Sequence, residues 1–235
     1  MRKSRMFEGL RTWNPYFGCY HNCYSGGCWA KRRLAHRIGR AINCKMCYEF
    51  TPHLHPKRLK RVPRDPRIFV VAHGDLFGWW VPKDVIERIL EVCRSVDKEI
   101  WFFETKNPRR YFDFIDKFPE NTVLSTTIET NREYPFRVRG YTPPPVERFH
   151  FIHEVRVHSD FPVHVSIEPI MDFDLDIMVR WIRLIKPFKV SVGYDSLHNG
   201  LPEPPLEKTL ALIKELEKFT VVERKQMNPT GRRLR

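Results

Sequence analysis

Residues 68–106 read IFVVAHGDLFGWWVPKDVIERILEVCRSVDKEIWFFETK. Two apolar runs, IFVVAHGDLF (68–77) and EIWFFETK (99–106), flank VPKDVIERILEVCRSV (81–96). In the middle segment apolar residues recur at three- and four-residue spacing, which predicts an amphipathic helix with Pro82 near its start. The outer runs predict strands. They are apolar nearly throughout, as in a sheet covered on both faces. Strand, helix and strand in this order form a βαβ unit, and its strands lie parallel.

The same rhythm continues in both directions. Downstream, NPRRYFDFIDKF (107–118) predicts a helix with Asn107 as N-cap and Pro108 at the first position. NTVLSTTIET (121–130) predicts a strand. Residues 131–145 hold four charged residues and four prolines and read as a loop. A helix over 146–159, a strand PVHVSIEPI (162–170) and a helix DLDIMVRWIRLIK (174–186) follow. The chain closes with a strand FKVSVGYD (188–195), a helix PPLEKTLALIKELEKF (204–219) and a strand TVVERK (220–225). Upstream, LRTWNPYFGC (10–19) reads as a short strand and WAKRRLAHRIGR (29–40) as a basic helix. Residues 41–66, with Cys44, Cys47 and four prolines, read as an irregular insertion. About seven strands of this kind predict an α/β domain spanning 1–235, a barrel or partial barrel rather than a small open sheet.

Composition narrows the function classes. No stretch approaches the roughly 20 apolar residues of a membrane span. The start, MRKSRMFEGLRTW, is basic but lacks the apolar core of a signal peptide. A cytoplasmic location is the expectation. Lys and Arg number 41 against 28 Asp and Glu, a net charge of +13. Such a field attracts polyanions, nucleic acid above all. The competing reading is the charge-rich surface of a thermophile, which the single glutamine, Gln226, also suits. Twelve of the basic residues lie between Lys31 and Arg67, and the tail GRRLR adds three. Phosphates would dock on these, or they form a solvated face.

Five of the six cysteines lie between residues 19 and 47. The segment GCYHNCYSGGCWA (18–30) puts Cys19, Cys23 and Cys28 on one loop between a strand and a helix. Thiolates that converge on a short loop suit an iron–sulfur cluster, and three ligands leave one iron open. Gly26 and Gly27 allow the positive φ angles that such wrapping needs. Zinc is the alternative: Cys44-x-x-Cys47 has a zinc-knuckle spacing and pairs with any two of the first three. Cys44 and Cys47 remain open between a second metal site, a disulfide and free thiols. Cys93 lies on the apolar face of its helix and reads as core.

A cysteine loop after the first strand of a βα barrel resembles the radical S-adenosylmethionine (SAM) superfamily. That superfamily spaces its cysteines Cys-x3-Cys-x2-Cys, whereas the spacing here is Cys-x3-Cys-x4-Cys. The segments TWNP followed by GC (12–19), CWAKR (28–32), HPKRL (55–59), GDLFGWWVP (74–82), TKNPRR (105–110) and SIEPI (166–170) resemble a phage- and archaea-associated branch of unknown function. The resemblance implies a partial (β/α)6 barrel of the TIM type. It implies a [4Fe–4S] cluster on Cys19, Cys23 and Cys28, and SAM cleaved reductively to a 5′-deoxyadenosyl radical that abstracts hydrogen. An electron donor such as a ferredoxin or flavodoxin would serve it. His73, Gly74 and Asp75 stand where the superfamily holds the SAM amino group. Thr126 and Glu129 stand where it holds ribose and carboxylate. Tyr24 or Trp29 would contact the adenine, because Gly27 replaces the usual aromatic residue before the third cysteine.

Other residues at strand ends are candidates on their own chemistry. Lys106, after Glu104 and Thr105, suits a carboxylate or phosphate. Glu168 ends an apolar run, where a carboxylate should be paired or functional. Tyr194 and Asp195 suit an adenine or substrate pocket. Trp79 and Trp80 suit stacking on a base or a staple at the helix start. Two further readings compete: a zinc-stabilised nucleic-acid-binding protein without catalysis, and a barrel that keeps a cluster for structure or electron transfer alone.

Overall fold

Seven strands lie side by side in one parallel sheet, and the chain visits them in order. The computed structural model describes residues 9–229, so the tail GRRLR lies outside the described residues. The strands are β1 (Arg11–Trp13), β2 (Tyr16–Phe17), β3 (His53–Leu54), β4 (Arg67–Val70), β5 (Ile100–Thr105), β6 (Thr122–Thr127), β7 (Val163–Ile167), β8 (Lys189–Val192) and β9 (Val221–Arg224). The helices are α1 (His36–Ala41), α2 (Lys45–Glu49), α3 (Pro56–Leu59), α4 (Lys83–Ser95), α5 (Phe136–Arg139), α6 (Pro145–His158), α7 (Leu175–Ile185) and α8 (Leu206–Leu216). The sheet order is β1-β4-β5-β6-β7-β8-β9, and β2 and β3 form a separate antiparallel pair. All seven strands expected from the rhythm are present.

Alternation along the strands divides the sheet into two unlike faces. Val70, Trp101, Phe103, Leu124, Val165, Ile167 and Val192 join the main core. Ile86, Ile89 and Leu90 of α4, Ile152 of α6, Met178 and Ile182 of α7 and Leu212 of α8 pack into that same core. The residues between them face the other way. Phe69, Phe102 and Val123 form a small cluster with Leu10. Beyond them runs a polar chain: Ser125 bonds His164 Nδ1 at 2.8 Å, His164 Nε2 bonds Ser191 at 3.0 Å, and Ser191 donates to Glu223 at 3.0 Å. Burial drives the His164 pKa down to about 3, so the ring is neutral. The long helices therefore cover one face, not both as the apolar strands suggested.

Several local expectations change. Residues 41–66 are ordered into α2, β3 and α3. The stretch 131–145 includes α5. Residues 108–114 form a 3-10 turn, and Asn107 does not cap it; its side chain donates to the Phe77 carbonyl at 3.0 Å. Cys93 is buried in the core. Among the described residues no helix is long and apolar enough to cross a membrane.

The two segments TWNP and HPKRL meet in space. Trp13 Nε1 donates to the Arg58 carbonyl at 3.1 Å, and Arg58 donates to the Asn14 carbonyl at 2.9 Å. Asn14, buried between β1 and β2, accepts from the backbone N–H groups of Ala72 at 2.8 Å and His73 at 2.9 Å. It thereby ties the root of the cysteine loop to the end of β4. Asn14→Leu keeps the size but strands two backbone donors. Urea denaturation should show a loss of about 2–4 kcal/mol; an unchanged midpoint would show that water satisfies those groups.

Candidate active site

The cysteine loop starts at Gly18, directly after β2. Gly18 has φ +89°, and its N–H donates to the His73 carbonyl at 3.0 Å. A Cβ on Gly18 would lie 2.5 Å from the Thr51 carbonyl carbon, so only glycine fits there. The loop then turns through left-handed backbone at Asn22, Tyr24, Ser25 and Gly26, with φ between 52° and 82°. Gly27, expected to share that role, has φ −73°. Its small size matters instead, because a Cβ would strike Asn199 Oδ1 at 2.0 Å. Left-handed turns at Tyr24 and Ser25 are costly for residues with a side chain. Two anchors hold them: Tyr24 Oη donates to Glu129 at 2.8 Å, and Ser25 donates to the Arg137 carbonyl at 2.6 Å. This compact turn takes up the long gap between Cys23 and Cys28.

The three thiols are electrostatic neighbours. Cys23 is buried, and Cys19 and Cys28 are half-buried. Burial pushes the Cys19 thiol pKa up, and Asp75, Cys23 and Cys28 add to the shift. Cys23 is pushed up to about 12, mainly by burial, with Lys106 pulling the other way. Thiols held protonated in this way, as Cys19 and Cys23 are, need a cationic centre beside them to ionise. Among the described residues, the group whose ligand atoms all approach within 4.8 Å lies elsewhere, at Cys44, Cys47, His53 and His55. Three thiol donors suit a soft, thiolate-bound metal centre.

Asp75 holds the loop against the sheet. Its Oδ1 accepts from Phe77 N–H at 3.0 Å and Thr105 Oγ1 at 2.7 Å; its Oδ2 lies 3.0 Å from both Lys106 N and His21 Nε2. Burial would raise its pKa, but the His21 contact and the other donors bring it below the ordinary value. All four donors come from the protein, so Asp75 positions the loop rather than offering a free carboxylate. The ring of Trp80 packs edge-on against His21, with centroids 4.7 Å apart, while Trp79 is exposed.

Beside Cys23 lies a buried ion cluster. Glu129 is 2% exposed and pairs with Lys106, with Arg148 at 2.6 Å and with Tyr24. Burial would raise the Glu129 carboxyl, but Arg148 and then Lys106 outweigh it and hold the pKa at about 2. Arg148, itself 2% exposed, also donates to the Thr127 carbonyl. Sequence reading passed over Arg148. It had a signal: Arg148, Ile152 and Val155 share one face of α6, and all three are buried.

Two carboxyls complete the site. Glu104 and Glu168 are each pushed up to about 7, both chiefly by burial; Glu168 adds to the shift of Glu104, and Glu223 adds to that of Glu168. Glu104 accepts from Ser125 at 3.3 Å. Gly193 flanks Glu168, where a Cβ would lie 3.4 Å from the carboxyl carbon.

Two expected residues stand elsewhere. Tyr194 is fully buried in the helix-side core, bonded to Thr209 at 2.6 Å and the Pro204 carbonyl at 3.1 Å. Thr126 is buried and donates to the Thr105 carbonyl at 2.7 Å. Each is one residue out of phase with the site face, which Gly193 and Ser125 occupy. Asp195 caps its own loop, accepting from Leu197 and Asn199 N–H groups. Gly74 bridges to Gly18, with no room for a side chain: a Cβ would meet the Gly18 carbonyl at 2.4 Å. Trp29 is exposed.

Comparison with known proteins places this arrangement. A family model described as "Protein of unknown function (DUF5131)" matches residues 8–182. The chain belongs to the DUF5131 family. No curated protein matches its sequence. Solved structures share the fold of the DUF5131 chain at low identity. A spore photoproduct lyase variant with bound AdoMet and dinucleoside spore photoproduct aligns with TM-score 0.57 and 11% identity, over 93% of this chain and 65% of that one. A second variant of that lyase aligns with TM-score 0.57 and 12% identity, over 97% of this chain and 81% of the other. SuiB from Streptococcus suis, bound to precursor peptide SuiA, aligns with TM-score 0.57 and 11% identity, over 93% and 49%. The DUF5131 chain thus spans 65% of the first of these neighbours and about half of SuiB. Its seven-stranded parallel α/β fold is structurally similar to that of radical SAM enzymes.

The raised carboxyl of Glu104 carries a stability signature. An acid whose folded pKa of about 7 exceeds its ordinary 4.5 keeps a proton that the unfolded chain has lost. Its contribution is present at and below pH 4.5 and is lost as pH rises through 7. Urea midpoints should therefore fall across that window, and less so for Glu104→Gln. Parallel profiles for the two proteins would contradict the assignment.

Proposed function

We propose that this DUF5131 protein is a radical SAM enzyme. The observation that carries the reading is the placement of Cys19, Cys23 and Cys28 on one loop at the carboxyl ends of a parallel sheet, beside the cations Lys106 and Arg148. In this reading the sheet is the wall of a partial (β/α)6-type barrel, and its polar face lines the lumen. The three thiolates would hold a [4Fe–4S] cluster and leave one iron open for the amino and carboxylate groups of SAM. When bound and reduced, the cluster supplies the electron that cleaves SAM to methionine and a 5′-deoxyadenosyl radical, which takes hydrogen from a substrate.

The chain's own residues have distinct tasks. Lys106 offers a cation for the methionine carboxylate. Glu129 orients Lys106 and Tyr24 rather than meeting the cofactor, since its partners are already in place. Tyr24 is set beside Cys23 by that bond and suits the adenine. Glu168 and Glu104, raised to about 7, exchange protons near neutral pH and can donate or accept hydrogen bonds to ribose or substrate. Asp75 fixes the loop through His21. Gly74 lets the end of β4 approach Gly18.

Charge favours a nucleic acid or nucleotide substrate. Lys31, Arg32 and Arg33 directly follow the cysteine loop and are exposed, and Arg37, Arg40, Lys57, Lys60 and Arg61 extend the basic surface. The neighbouring lyase was solved with a dinucleoside, SuiB with a peptide. A ferredoxin or flavodoxin would deliver the electron, and the cytoplasm would keep the thiols reduced. A zinc-stabilised binding module without catalysis leaves the buried Lys106–Glu129–Arg148 cluster and the raised carboxyls without a purpose.

Anaerobically reconstituted protein should be brown, absorb broadly near roughly 400 nm and bind about four irons at the loop. With dithionite and SAM it should release 5′-deoxyadenosine, and Cys23→Ala should lower that yield by at least about 100-fold through loss of a cluster ligand. Wild-type protein that binds no iron, or that holds iron but never cleaves SAM, would overturn the proposal.

A further inference from the structure

The region that reads as irregular in sequence brings four soft and borderline ligands to one point. Cys44 stands at the N-cap of α2, and Cys47 lies in its first turn. The Cys47 N–H donates to the Cys44 sulfur at 3.5 Å, the bond by which a helix start supports a thiolate. His53 lies in β3, and His55 follows it by two residues as the N-cap residue of α3. The strand is held by pairing of Phe17 with His53 and by the His55 N–H donating to the Pro15 carbonyl at 2.6 Å. The ring centroids are 4.4 Å apart.

The distances match one metal ion. His53 Nε2 is 3.5 Å from the sulfurs of both Cys44 and Cys47, and His55 Nε2 is 3.1 Å from Cys47. All four ligand atoms lie within 4.8 Å of one another. A tetrahedral zinc with ordinary Zn–S and Zn–N bonds separates S from N by about 3.6 Å. A two-iron cluster would divide the cysteines from the histidines between two irons; here His53 Nε2 lies equally close to both sulfurs. The tautomer is also set. His53 Nδ1 lies 2.8 Å from the Thr51 carbonyl and can only donate there, which leaves Nε2 as the free acceptor facing the sulfurs. Both cysteines are free thiols.

We propose that Cys44, Cys47, His53 and His55 form a structural zinc site separate from the cysteine loop. Its place gives it a task. Phe50, between the two ligand pairs, accepts from the Cys19 N–H at 3.4 Å, and the Thr51 carbonyl packs on Gly18. A metal here staples α2 and β3 together and supports the backbone from which the first loop cysteine hangs. It acts through architecture; no ligand position is left open for chemistry.

The test removes the other thiols first. A variant with Cys19, Cys23 and Cys28 all replaced by alanine lacks the proposed cluster ligands, so its metal content reports this site alone. Grown with zinc, it should carry one zinc per chain by elemental analysis. Adding Cys47→Ala or His53→Ala should reduce that to background. In case those variants fold poorly, the triple-alanine protein stripped of metal and titrated with cobalt(II) gives an independent reading. It should show the intense visible bands of tetrahedral cobalt with thiolate charge transfer, saturating at one equivalent and bleached by zinc. Zinc that persists when Cys47 and His53 are both gone would overturn the proposal. So would a triple-alanine protein that carries no zinc and shows only the pale spectrum of hydrated cobalt. Either result leaves the cluster reading untouched, because the loop cysteines are absent from the first experiment.

Discussion

The buried carboxylate of Asp75 is the point on which the site hangs. It collects four donors from three segments that are distant in sequence: His21 of the cysteine loop, Phe77 of its own loop, and Thr105 and Lys106 at the end of β5. A carboxylate so far from water is tolerable only when its lone pairs are filled. That requirement works in reverse on the fold. It fixes where the cysteine loop lies over the sheet, and it fixes the backbone from which Lys106 reaches Glu129. Loss of any one donor would leave a buried charge short of partners, so the loop, β4 and β5 are bound to move together.

A second constraint is the pleat. Along each strand, alternate residues serve the helix-covered core and the polar face. Gly193 and Ser125 belong to the polar face; Tyr194 and Thr126 belong to the core side. The open phase of the sheet explains how one chain can bury Trp101 and Phe103 on one side and still present Glu104 and Lys106 on the other. It also brings Glu104 and Glu168 into electrostatic contact although 63 residues lie between them in the chain.

Much of this was legible in the residues. The period of the apolar runs gave seven strands, and the cysteine spacing marked the loop. Glu168 stood out because a carboxylate in an apolar run needs a reason. Tyr194 and Thr126 face the core; proximity to a strand end says nothing about phase, and phase is set only when the core chooses a side. Residues 41–66 looked irregular because their elements are four or five residues long or shorter, below the length at which periodicity shows. His53 and His55 went unpaired with Cys44 and Cys47 for the same reason. The left-handed turn at Tyr24 and Ser25 had no local signature at all. It exists because Glu129 and the Arg137 carbonyl, more than 100 residues away, hold it.

In the proposed enzyme the loop thiolates leave one iron open to SAM. Electron paramagnetic resonance of the reconstituted, dithionite-reduced protein, recorded with and without SAM, tests it most directly. The account predicts a reduced four-iron signal whose line shape changes when SAM is added. A four-iron signal that SAM leaves unaltered would contradict it.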